Sequence, residues 1–194
     1  MPYIGNAPGQ KDIAAYTNIG ATPAGSDEVL LSDAGVLKAV TVTNLMAAAS
    51  GGGKVLQVVI DTGSVQYSTT SSTLSTIDDP VASITPSNSS NKVLIYATVV
   101  AYARAGGMCW LDLQRAIASG ATTSGLSGES KGVVFAESPD NVTVGQTMVF
   151  LDSPSTTSAC TYKMMFANED NSTTTYAGDA NAGASIVLME VDGT

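Results

Sequence analysis

The chain has 194 residues, 44% of them hydrophobic and only 13% charged, with a formal net charge of -9 and a pI near 4.1. That length supports one domain with a core of its own plus a smaller element. The acidity is unfavourable for phosphate backbones and for anionic membrane surfaces, so neither nucleic-acid binding nor membrane insertion is expected. No stretch approaches the roughly 20 apolar residues of a membrane helix.

Residues 1–26 are rich in Gly, Ala, Pro and Asn. They cannot bury enough apolar area to order alone, which leaves disorder or docking onto another surface. The opening Met1-Pro2-Tyr3-Ile4-Gly5-Asn6 is not low-complexity, which favours docking. Pro2, Tyr3, Ile4 and Tyr16 are the candidate contact residues. The opening also lacks the charged start and apolar run of a secretory leader, so synthesis in a cytoplasm is expected.

Residues 27–53 read as a hairpin and a joint. Val29-Leu30-Leu31 leads into the turn composition Ser32-Asp33-Ala34-Gly35, and Val36 to Val42 leads out. Asn44 is placed to cap a helical turn through Ala49. An isolated two-stranded hairpin is marginal in water, so this element needs a partner, and identical neighbours would serve. Ser50-Gly51-Gly52-Gly53 is a flexible joint.

Residues 54–194 read as strands. Val55–Ile60, Val81–Thr85, Lys92–Tyr102, Met108–Ile117, Lys131–Ala136, Thr147–Leu151, Ala159–Ala167 and Ser185–Val191 alternate with Ser-, Asn-, Gly- and Pro-rich turns. Ser64–Thr76 suits a long connection or an edge strand, and Gly120–Gly128 a loop. Lys92–Tyr102 is too apolar for an edge and reads as a central strand. The expected class is all-β: an antiparallel sandwich or jelly roll preceded by an extended segment and a hairpin neck.

The chain contains no histidine, which removes the usual general base and metal ligand. Cys109 and Cys160 lie in apolar runs and read as buried thiols, with a cross-strand disulfide as the sharper alternative. Asp78-Asp79 before Pro80, and Glu169-Asp170, read as turn formers or solvated surface rather than a paired-acid hydrolase site or a calcium loop. No catalytic residue, metal site or cofactor is expected. Tyr67 and Tyr176 sit in polar contexts and are the candidates for stacking on a sugar. Trp110, Tyr96, Tyr102, Phe135, Phe150, Tyr162 and Phe166 are assigned to the core.

Three stretches carry a resemblance. The opening hexapeptide Met1–Asn6 resembles the start of fibre proteins of podophages, particularly those of marine bacteria. Asp27–Thr43 resembles the hairpins of tail-fibre and tailspike necks. Leu151-Asp152-Ser153-Pro154, Thr161-Tyr162 and Ser185–Val191 resemble the C-terminal domain of phage fibres. The resemblance implies a homotrimeric, non-enzymatic virion appendage made in a bacterial cytoplasm. Its N-terminus would attach to capsid, portal or tail proteins, and its outer β-domain would decorate the particle or bind a host-surface glycan. The chain departs from long fibres in having no long shaft between hairpin and knob, which favours a stubby fibre, a head decoration or a tail accessory. The alternatives are a free lectin-like module and, less favoured, a glycan hydrolase.

Overall fold

The computed structural model describes residues 24, 26–49 and 53–193, apart from 105, 106, 119, 121, 131, 138–142, 170 and 172. The chain divides into two compact units, residues 1–51 and 52–194. Pro2, Tyr3, Ile4 and Tyr16 lie outside the described residues, as do the Pro139-Asp140-Asn141 turn and Asp170.

In the first unit β1 (Glu28–Asp33) and β2 (Val36–Thr41) pair antiparallel from Glu28↔Thr41 to Asp33↔Val36. The two connecting residues, Ala34 and Gly35, both have positive φ, 50° and 81°. This is the backbone that matches strand twist in a two-residue hairpin. Helix α1 (Val42–Ala49) follows directly. Its cap is Thr41, whose hydroxyl accepts the Asn44 amide at 3.2 Å. Asn44 is therefore the third helical residue and not the cap, because the helix begins three residues earlier than the apolar pattern indicates. The unit leaves Leu30, Val36 and Met46 well exposed.

The second unit is an antiparallel sandwich. Its first sheet is built on β6 (Lys92–Ala103). Along one edge of β6 lies β10 (Val144–Asp152). Along the other lie β13 (Ala184–Val191) and, beyond it, β12 (Thr175–Ala177). β3 (Val55–Gly63) flanks β13, and β4 (Tyr67–Thr69) flanks β12. The second sheet runs β5 (Ser75–Ile84), β11 (Cys160–Asn168), β7 (Met108–Ile117). β9 (Val134–Glu137) and β8 (Thr122–Ser124) share the outer edge of β7. The expected central strand is thus paired on both edges. β4 lies in the stretch expected as a connection or edge strand, and β8 lies within the expected loop. β12 is too short to register as a strand pattern.

Strand alternation builds the core. From the first sheet Val93, Ile95, Ala97, Val99, Ile186 and Leu188 point inward. From the second come Ile77, Ile84, Leu111, Leu113, Tyr162, Met164 and Phe166. Cys109 and Cys160 are buried and free. Cys109 pairs with Asn168 and Cys160 with Ile117, at opposite ends of the β7–β11 ladder, so the cross-strand disulfide is ruled out by register. Burial pushes the Cys109 thiol up to about 12. Tyr162 and Phe166 are core as expected, and Phe150 packs against it. Trp110 is half-buried on the opposite side of β7 from Cys109 and Leu111, outside the core.

Asp78 and Asp79 do not form a turn. They lie inside β5, where the ladder to β11 passes from Val81↔Lys163 to Ile77↔Met164. Residues 78–80 form a bulge, which accommodates a proline with no amide to donate. Asp78 pairs with Lys163 at 2.7 Å on the surface. Asp79 accepts the Ser64 amide at 3.1 Å. Its carboxyl lies where a side chain at residue 63 would stand, so that position takes glycine.

Two carboxylates tie the sandwich together. Asp152, ending β10 in one sheet, accepts two hydrogen bonds from Arg115 Nη1 at 2.6 and 2.7 Å and one from the Tyr162 hydroxyl at 2.7 Å. Arg115 and Tyr162 belong to β7 and β11 of the other sheet. Glu190 of β13 is buried. It accepts hydrogen bonds from Gln57 Nε2, the Ser87 amide and Asn91 Nδ2, each at 2.6 Å, and from the Ser87 hydroxyl at 2.8 Å. Burial alone would raise the Glu190 carboxyl, but these donors outweigh it and hold it at about 2.

Removing the Asp152 carboxylate strands a largely buried guanidinium. Asp152→Ala is expected to cost roughly 3–5 kcal/mol, measured by urea unfolding. Glu190 is deprotonated more easily folded than unfolded. Its contribution is therefore complete above pH ~4.5 and lost as pH falls from there toward about 2. Glu190→Gln should lose about 2 kcal/mol at neutral pH and show a flatter stability profile across that acid window, read by thermal melts at a series of pH values.

Candidate functional sites on the outer sheet face

The outer face of the first sheet carries two distinct features. The first is aromatic. Tyr102 on β6 pairs in register with Tyr176 on β12, and Tyr176 in turn with Ser68 on β4. All three lie on the face away from the core. The two rings stack with centroids 4.6 Å apart and an interplanar angle of 10°. The Arg104 guanidinium lies over the Tyr176 ring, 5.2 Å from its centroid. An open groove of about 450 Å³ is lined by Tyr102, Arg104, Thr143 and Asp179. A flat ring edge, a cation, a carboxylate and a hydroxyl are groups that recognise a polyhydroxylated ligand.

Of the two sequence candidates, Tyr176 is in this cluster and Tyr67 is not. Tyr67 pairs with Ala177 and packs against the core, on the opposite side of the β4–β12 pair. Burial, and then the nearby Asp78 and Asp79, raise its hydroxyl. Tyr102, assigned to the core from its apolar run, is instead the stacking partner. The periodicity of β6 carries the signal: Ala101 and Ala103 are buried, so Tyr102 faces outward.

The second feature is apolar. Register places Val58, Met189, Leu94 and Leu151 in one row across β3, β13, β6 and β10, and Ile60, Val187, Tyr96 and Val149 in the next usable row. The intervening row, Val59, Leu188, Ile95 and Phe150, turns inward. Tyr96 is therefore not a core residue; it is 41% exposed. One step further along, Thr62, Ser185, Thr98 and Thr147 form a hydroxyl row, with Thr98 and Ser185 hydrogen-bonded at 2.8 Å. The closing strand is buried on one side only. Ile186, Leu188 and Glu190 face in while Ser185, Val187 and Met189 face out.

A smaller crevice of about 250 Å³ opens between β7 and β10, lined by Asp112, Leu113, Val133 and residues 147–150. The Asp112 carboxylate there is engaged by the Leu113 amide and the Ser127 hydroxyl. Among the described residues no three acidic or cysteine side chains converge as a metal site, and no helix is long and apolar enough to cross a membrane.

No family model matches the chain, and no curated protein matches it. Two similar solved structures are of infectious bursal disease virus. The crystal structure of its T13 viral particle aligns at 9% identity with a TM-score of 0.37, covering 86% of this chain and 42% of that one. The structure of the Gx strain aligns at 10% identity with a TM-score of 0.35, covering 96% and 57%. This chain thus spans about half the length of those it matches. Superposition at this level fixes neither a shared fold nor a shared role.

The Tyr102–Tyr176 stack should contribute about 1 kcal/mol beyond the area it buries. Tyr176→Ala is expected to lower stability modestly without loss of fold. A Tyr102/Tyr176 double-mutant cycle in urea unfolding measures the coupling directly.

Proposed function

We propose that the chain is a non-enzymatic structural subunit of a virus particle, of the bacteriophage appendage type. In this reading residues 1–26 attach to capsid, portal or tail proteins, residues 27–53 form the neck, and the sandwich of residues 54–194 faces outward in a homotrimer. The observation that carries the reading is the small first unit. It has two six-residue strands and one eight-residue helix, with Leu30 68%, Val36 58% and Met46 63% exposed. Such a hairpin is marginal in water by itself. It makes sense as an assembly element covered by copies or by another protein. The resemblance of the opening hexapeptide, the hairpin and the closing strand to phage fibres supplies the kind of assembly.

A chain lacking residues 1–26 should be left out of gradient-purified particles that take up the full chain. Equal incorporation of the two, measured by quantitative mass spectrometry of the particles, overturns the anchoring role.

The aromatic groove favours a second reading, that of a lectin-like module. The two readings combine if the outward domain binds a host-surface glycan. A glycan array probed with the full chain and with Tyr102→Ala tests this. Binding that the substitution abolishes supports it, and an array with no signal removes it.

A further inference from the structure

We propose that the two-row apolar field on the outer face of β3, β13, β6 and β10 is the surface through which copies of this chain associate. The proposal concerns the sandwich and does not require a role in a particle. Val58, Ile60, Tyr96, Val149 and Leu151 remain 41–63% exposed. With their half-buried neighbours they form a contiguous apolar surface across four strands. Large contiguous apolar patches are uncommon on monomers and mark interaction surfaces.

Three observations select a second copy as the occupant. The field contains no ionised side chain; Lys92 lies past one end of it and the Thr62–Ser185–Thr98–Thr147 row closes the other. A chain with net charge -9 meets its own kind at least electrostatic cost across a charge-free surface, with charges left to the rim. The geometry is also that of a pleated sheet face carrying branched aliphatics, which stacks on a like face about 10 Å away, as the inner face of the same sheet already does. A small polar ligand would find almost no hydrogen-bonding groups there, the Tyr96 hydroxyl excepted. A patch that meets the same patch on a second copy closes as a two-fold pair rather than an open chain, a contact separate from any that builds a trimer.

The experiment compares the full-length chain with Ile60→Lys/Val149→Lys by light scattering and sedimentation over a range of concentrations. These side chains are surface groups, so the double variant should keep its far-ultraviolet spectrum and melt cooperatively. The wild type is expected to be a defined oligomer. The double variant should be monomeric or associate at least about 100-fold more weakly. A milder pair, Ile60→Thr/Val149→Thr, retains β-branched residues and should fall between the two, which keeps the test decisive if the lysine variant misfolds. Val36→Lys in the first unit serves as a control outside the field. A wild type that is monomeric at all concentrations, or an oligomer indifferent to both pairs of substitutions, overturns the proposal.

Discussion

A strand offers two faces and a single sandwich core can use only one of them. That constraint organises this molecule, because its first sheet is apolar on both. The inner row Val59, Leu188, Ile95, Phe150 closes the core. The flanking rows on the other side, from Val58 to Leu151 and from Ile60 to Val149, are nearly as apolar and stand in water. Continuous apolar runs, rather than alternation, are the usual mark of strands covered on both sides. In this chain β6 and β13 have such runs, and the described residues of the sandwich cover only one side.

The sandwich is held in register by groups that are not apolar. Asp152 reaches from the first sheet to Arg115 and Tyr162 of the second, so the two sheets cannot slide without breaking a charge-assisted pair in a low-dielectric setting. Glu190 does the same at the end of β13, joining β3 through Gln57 and the β5–β6 turn through Ser87 and Asn91. Both carboxylates end or nearly end their strands. Apolar packing alone tolerates a two-residue slip of a strand, since the same face stays inward. A buried carboxylate with several fixed donors does not tolerate it, so these two residues select one alignment among several that hydrophobic burial would permit.

The sequence disclosed the fold class and most strand positions because turn chemistry and β-branched runs are local signals. It disclosed far less about facing. Tyr96 and Tyr102 both lie in a run broken by a single polar residue, Thr98, and pairing with β13, β10 and β12 shows that they look outward. The bulge at Asp78–Pro80 was equally hidden, since an Asp-Asp-Pro triplet signals a turn unless a neighbouring strand is present to carry the ladder past it. Three-residue strands such as β4 and β12 exist only by virtue of their partners. For the same reason the Tyr102–Tyr176 stack could not be read from residues 74 positions apart. Tyr67, which shared Tyr176's polar surroundings in sequence, turns to the other side.

The two features of the outer face share one strand. Tyr96 lies in the apolar field and Tyr102 in the aromatic groove, six residues along β6, which is roughly 20 Å of extended chain. The hydroxyl row at Thr98 separates them. If copies meet through the field, the groove sits beside the rim of that interface, where water and larger ligands still have access. The groove is then repeated once per copy around the same assembly. Weak individual contacts, such as stacking on an exposed tyrosine, gain most from this arrangement, since linked sites multiply affinity without any new contact. Association and recognition would thus be served by one sheet face, the apolar half fixing the copies and the aromatic half offered to whatever the assembly meets.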